Sequence, residues 1–325
     1  MPVNEVLSKY SDWSFVTALV IYVLAMIFYL IEQAFGRVRA SAVAAPAQQF
    51  VTAGGGGVVE TPPAGRAPSG GPDRGRVDRI GRMAVALTVL GAVIHFASIV
   101  LRGLAAHRWP LGNMYEYIAF ITFVAVVGWL VAVRRFEVRR LGAWVLLPIL
   151  VLMFLNGTIF YTLAAPVRPA LQSYWLMIHV TIISASSGIL LLPGMASLFY
   201  LIKGAGDGKD SMLGRFAAKL PSRETLDRVA YRTTIFALPL FTFGVMCGAI
   251  WAESAWGSFW SWDPKETTAL VDWICYAAYL HSRATAGWRG NRAAAINVLG
   301  FAVNIFNLFF INLVTTGLHS YAGLP

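Results

Sequence analysis

The residues best suited to chemistry in this chain are tryptophans and histidines, and they cluster. Trp256, Phe259, Trp260 and Trp262 fall within the first seven residues of Trp256-Gly257-Ser258-Phe259-Trp260-Ser261-Trp262-Asp263-Pro264-Lys265-Glu266, and Trp251 lies just upstream. Interfacial tryptophan is ordinary in membrane proteins. At this density, on a segment punctuated by Gly and Pro, the rings build a broad, flat, apolar platform. Such a platform suits a large planar ligand, and a porphyrin is the candidate if histidines can reach its iron.

Two of the five histidines are placed for that. His179 lies in Trp175-Leu176-Met177-Ile178-His179-Val180, and His319 in Gly317-Leu318-His319-Ser320-Tyr321. Each alone reads equally as a polar residue at a helix end. Together, from separate helices beside one aromatic platform, they read as a pair of axial iron ligands, because histidine is a common haem ligand. His281, in Tyr279-Leu280-His281-Ser282-Arg283, belongs to the opposite end of its span. It is either a snorkelling interfacial residue or a ligand or relay, since ionisable groups inside a membrane are costly. His95 reads as a ligand or as a helix–helix hydrogen bond. His107, between Arg102 and Arg108, reads as solvated. No base for activating a thiol stands out. Asp263 and Glu266 are candidates, but a turn and a helix start account for both.

These residues need elements to hold them. Of 325 residues, 57% are hydrophobic and only 13% charged, which excludes a soluble protein and fits a polytopic membrane protein. The expected fold is an all-α integral membrane bundle of about eight transmembrane helices, near 14–35, 80–103, 114–133, 142–163, 173–202, 232–252, 265–284 and 292–317. The first run is long enough to span and reads as a membrane helix, not a cleaved signal peptide. The basic residues gather in alternate loops: Arg37 to Arg82, Arg134 to Arg140, Lys203 to Arg228, and Arg283 to Arg292. Those loops are expected in the cytoplasm, with both termini and the Trp-rich loop outside. The net charge of +10 is then loop charge, not a nucleic-acid surface.

The organisation expected is an N-terminal transmembrane helix over 1–35, a basic cytoplasmic linker over 36–79, and a transmembrane domain over 80–325 carrying the external loop 251–266. The linker contains Gly54-Gly55-Gly56-Gly57 and Pro62-Pro63 without apolar periodicity, and reads as disordered. Cys247 and Cys275 lie inside apolar runs without a Cys-x-x-Cys spacing and read as small buried hydrophobes. In the last span Asn297, Asn304 and Asn312 share about one face, which must point inward because lipid leaves amides unpaired. That stripe reads as interhelical hydrogen bonding or as a polar route. Asp272 is similarly expensive, and nine residues before His281 it points to the other side of its helix.

With these residues in view, the chain resembles the haem-handling membrane proteins of cytochrome c maturation. More narrowly, it is similar to the CcsA/ResC component of the two-part cytochrome c synthase, labelled CcsB in actinobacteria. The resemblance rests on Trp109-Pro110-Leu111-Gly112-Asn113-Met114-Tyr115-Glu116, on Leu171 to Val180, on Gly248 to Glu266, on Tyr279 to Arg283 and on Gly317 to Ala322. Relatives of the multi-component maturation pathway share the Trp loop but usually lack the Asp-Pro-Lys-Glu continuation at 263–266. Gly112, where Ser is commoner, and Asp272 depart from the family pattern.

The resemblance implies that His179 and His319 hold haem b beside the loop, with Trp251, Trp256, Trp260, Trp262 and Asp263 around it. It implies that His281 is a membrane haem ligand whose companion comes from a ResB-like membrane partner subunit. The other implied partners are an apocytochrome c carrying Cys-x-x-Cys-His and, indirectly, a thiol-reducing thioredoxin-like protein. The implied place is the bacterial cell membrane, and the implied activity is a share in covalent thioether attachment. Two alternatives stand beside it: a haem exporter that forms no bond, and a transporter of another solute whose aromatics form only an interfacial belt.

Overall fold

The computed structural model describes residues 2–43, 72–166 and 173–319. Every regular element among them is helical, as expected where a chain crosses lipid and must satisfy its own backbone. The long helices are α1 (Glu5–Val43), α2 (Pro72–Ala106), α3 (Met114–Arg135), α4 (Gly142–Thr158) and α5 (Tyr174–Gly206). After a short α6 (Met212–Ala217) come α7 (Arg223–Trp256), α8 (Pro264–Ala284) and α9 (Asn291–Phe306). A π-helical turn, Asn307–Ile311, joins α9 to the short α10 (Asn312–Val314). Helix occupies both ends of the stretch read as a linker; positions 44–71 lie outside the described residues.

Among the described residues, seven helices are long and apolar enough to cross a membrane, one fewer than the eight expected. The difference is α8. It forms as a 21-residue helix where a span was expected, but Lys265, Glu266, Asp272, His281 and Arg283 make it too polar to qualify. It is two-faced: Asp272, Tyr276 and Tyr279 are buried, while Val271, Trp273 and Ile274 are exposed. Its polar stripe faces the bundle, and that stripe lines the site.

Two tightly packed helix pairs organise the bundle, α1 with α2 and α5 with α7. Both rely on glycine. A Cβ on Gly91 would run into the ring of Tyr22, which is fully buried. On α7, Gly244 and Gly248 form a small-x-x-x-small face that lets the helix backbones approach closely. A Cβ on Gly244 would meet the backbone nitrogen of Ile183 on α5 at 3.2 Å. The α5–α7 pair, with α8 and α9, encloses the space described next.

Helix ends determine the loops around that space. Gly257 stops α7 in the left-handed region, φ 75°, with its N–H bonded to the Glu253 carbonyl, as a glycine after a helix C-terminus commonly does. Asp263 then starts α8 with a capping box: its carboxylate accepts from Lys265 N, while Glu266 Oε2 accepts from Asp263 N. At the end of α2 the left-handed position is filled instead by His107, φ 51°.

Candidate functional site

A cavity of about 730 Å³ opens beside the Trp-rich loop, within the size range of small-molecule sites. Its walls come from α5, α7, α8, α9, the start of α3 and the loop before it. His179 and His319 both line it, as do Trp251, Trp256 and Trp260.

His179 is set by the α5–α7 contact. Its Nδ1–H donates to the Gly244 carbonyl at 2.7 Å, across the two helices. Gly248 lies against the same ring: a Cβ there would come within 2.6 Å of Cε1 and Nδ1. His319 is set by the loop and by α8. Its Nδ1–H donates to Asp263 Oδ2 at 2.8 Å, and Gly317 passes so close that a Cβ would collide with Asp263 Oδ1. In a neutral imidazole, a donating Nδ1 puts the lone pair on Nε2. A ring nitrogen tied to a carbonyl or carboxylate is the arrangement of metal-binding histidines.

Asp263 is the hub of this strap. Besides His319 it accepts from Leu318 N at 2.7 Å and Lys265 N at 3.1 Å. Burial pushes its carboxyl upward, but the His319 hydrogen bond and charge, with the two backbone N–H groups, outweigh that and hold it below the usual carboxylate range. It does not itself line the cavity; it orients a residue that does.

The tryptophans are not equivalent. Trp251 is buried and meets Trp256 edge to face, centroids 4.7 Å apart. Trp256 in turn meets the His319 ring at 5.1 Å and 71°. Such tilted contacts lock aromatic planes, so the two rings brace His319. Trp260 completes this wall, whereas Trp262 is 68% exposed and outside the lining. Trp262 has φ 58° and its ring rests edge-on against Trp260 at 5.9 Å.

The Trp109–Glu116 motif closes the facing wall. Glu116 is almost fully buried and accepts from Arg108 at 2.6 and 2.8 Å and from Gly112 N at 2.7 Å. Trp109 Nε1 donates to Thr181 Oγ1 on α5 at 2.9 Å. This clasp holds His107 and Arg108 at the cavity, so His107 is a lining residue rather than a merely solvated one.

The remaining histidines lie elsewhere. His281 is exposed on α8, about 25 Å along the helix axis from Pro264 at 1.5 Å per residue. His95 is buried among the rings of Phe15, Tyr22 and Phe123, away from the cavity. The asparagine stripe divides. Asn297 makes interhelical bonds, to Ser197 Oγ at 2.8 Å and the Pro193 carbonyl at 3.3 Å. Asn304, Asn307 and Asn312 face the cavity, with Lys265 and Asp272. Sequence reasoning passed over Gly244, Gly248 and Lys265. The Gly-x-x-x-Gly spacing was the visible signal for the first two.

A helical membrane bundle with two oriented histidines in an aromatic-walled cavity defines a class: polytopic membrane proteins with a cavity beside an aromatic loop. The chain belongs to the cytochrome c assembly protein family, which matches residues 111–319 and so takes in His179, His319 and the Trp-rich loop. It is 35% identical to the cytochrome c biogenesis protein CcsA of Mesostigma viride over 244 residues, covering 68% of this chain and 80% of that one. It is 34% identical to CcsA of Guillardia theta, covering 73% and 84%. It is also 34% identical to CcsA of the cyanobacterium Parasynechococcus marenigrum, covering 72% and 85%. Its role therefore lies in cytochrome c biogenesis.

Proposed function

We propose that this chain binds haem b in the cavity, with the iron between Nε2 of His179 and Nε2 of His319, and presents it to an apocytochrome c. The observation that carries this is the pair itself. Two histidines from separate elements line one cavity, and each has Nδ1 engaged by an acceptor. Trp251, Trp256 and Trp260 supply the apolar wall for the macrocycle. Trp262, at the rim, is placed to meet the incoming polypeptide.

The reaction is thiol addition to a vinyl group. An S–H bond and a C=C π bond break; a C–S and a C–H bond form, with no net redox change. The porphyrin supplies the electronics. The protein's part is to hold the vinyl carbons where the two thiols of Cys-x-x-Cys-His arrive, which removes much of the entropic barrier. The acceptor's histidine then displaces one protein ligand, and the product leaves. A ResB-like membrane partner subunit completes the synthase, with His281 serving a second haem position between the subunits. The alternating basic loops favour an orientation with the Trp-rich loop on the extracytoplasmic side, and on this proposal the membrane is that of a bacterial cell.

The test is co-expression with a ResB-like partner and an apocytochrome, followed by a peroxidase stain for covalent haem. Covalent product together with a Soret band on the purified chain supports the synthase. A Soret band without covalent product makes it an exporter, and no Soret band reduces the tryptophans to an interfacial belt.

A further inference from the structure

The cavity has two chemically different ends. Near the loop it is walled by tryptophan. Deeper, beside α8 and α9, it is lined by Asp272, Asn304 and Asn307, with Lys265 reaching toward Asn307 from the start of α8. Asp272 lies about 12 Å further along the α8 axis than Pro264. Two acceptor atoms at this inner end, Asp272 Oδ1 and Asn307 Oδ1, are buried with no hydrogen-bond partner, and the buried Asn304 amide has only the Tyr276 hydroxyl beside it. The Asp272 and Asn304 residues are only 1% and 5% exposed. Buried polar groups are almost always paired, and an orphan costs its full desolvation penalty. Under-satisfied polar groups on residues that line one cavity mark where a ligand's polar end belongs.

Lys265 adds a hydrogen-bond donor to this end. Two N–H groups of its ammonium donate to the Asn307 carbonyl at 3.2 Å and to Asn312 Oδ1 at 2.8 Å, both neutral acceptors. An ammonium has a third donor to give. The π-helical turn contributes here, because its irregular ladder lets the Asn307 carbonyl accept from side chains: Lys265, and Asn312 Nδ2 at 3.4 Å. Tyr276, one turn further along α8, also faces Asn304.

We infer that Lys265, Asp272 and Asn304 form a carboxyl-binding subsite at the inner end of the cavity, which receives the ligand's carboxylic acid side chains. The inference rests on the haem reading above. One carboxylate accepts from the third N–H of Lys265. The other pairs with Asp272 through one shared proton, as adjacent carboxyls do, and accepts from Asn304 Nδ2. A porphyrin held this way has its propionate edge inside the bundle. Its vinyl edge therefore faces the mouth, beside Trp256, Phe259 and the loop, where thiols arrive. The subsite fixes which edge of the haem is offered for reaction.

The experiment compares two porphyrins on the full chain with its partner: haem b and its dimethyl ester, which lacks both acids. The wild type should bind the diacid about tenfold or more tightly than the ester, as hydrogen bonds to charged groups imply. Asn304→Leu removes the buried amide at the cost of its contact with the Tyr276 hydroxyl, and should still insert and fold. In it the diacid should weaken toward the ester while both keep a bis-histidine Soret spectrum. Equal affinities in the wild type would overturn the subsite and leave water as its only occupant. An undiminished diacid preference in Asn304→Leu would overturn it too, because the preference would then be steric. If neither porphyrin gives a bis-histidine spectrum, the haem reading itself fails, and the subsite with it.

Discussion

At the scale of single residues, the site depends on which nitrogen of each histidine carries a proton. Asp263 fixes this for His319 while also capping α8. The Asp263→Asn variant disturbs both duties at once, because Oδ2 accepts from Lys265 N as well as from His319 Nδ1. With the amide oxygen kept where Oδ1 accepts from Leu318 N, the amide nitrogen takes the Oδ2 position and the bond to Lys265 N is lost. The amide then presents N–H to His319 Nδ1 and reverses the tautomer. Haem affinity should fall roughly 10- to 100-fold, the usual loss when a ligand's supporting partner is removed, and a Soret titration of the purified variant measures it. The same pair predicts an acid limit. A carboxyl lowered by folding contributes stability that is full above its unfolded value and is lost as pH falls through the folded one. The His319 strap should therefore hold at neutral pH and release below about pH 4, and Asp263→Asn should remove that acid step from the Soret–pH curve. His107 makes a different prediction. Where Gly208, Gly257 and Gly287 fill left-handed positions, α2 ends with a histidine at φ 51°. His107→Gly should relieve about 1 kcal/mol of backbone strain, read as a higher midpoint in thermal unfolding.

At the scale of elements, the α5–α7 contact is the precision part. Gly248 leaves no room for a methyl group beside His179. Gly248→Ala should push the ring or the helix aside and weaken haem binding by about tenfold or more, ~1.4 kcal/mol, while the bundle still inserts. Titration of the variant in detergent checks this, and unchanged affinity would mean that the contact is not critical. This is also where the sequence was hardest to read. The spans, the Trp platform and the histidine pair were legible because each is a local pattern of residue type. Residues separated by 65 positions, such as His179 and Gly244, leave no such local trace. The Gly-x-x-x-Gly spacing signals only that something packs closely there, not which ring it clamps. The polarity of α8 was legible too, but its meaning depends on a cavity that α5, α7 and α9 build together. Trp262 shows the reverse limit: it belongs to the dense motif by sequence, yet its left-handed backbone turns it out of the lining.

At the scale of the whole molecule, two separate positions follow from one helix. Asp263 caps the start of α8 at the cavity, and His281 sits about 25 Å further along the axis on an exposed face. One iron cannot touch both ends. His281→Ala should leave the bis-histidine spectrum of the isolated chain unchanged and lower only the haem that co-purifies with the chain plus its partner; parallel purifications with and without the partner decide it. The central claim concerns the other end, where His179 and His319 together hold the reacting haem. It is tested most directly by co-expressing the chain, its partner and an apocytochrome, with His179→Ala or His319→Ala, and staining for covalent haem with and without added imidazole. The account predicts that each variant inserts normally, forms no covalent cytochrome, and regains part of the product when imidazole fills the missing ligand position. Normal covalent product from either variant without imidazole would contradict it.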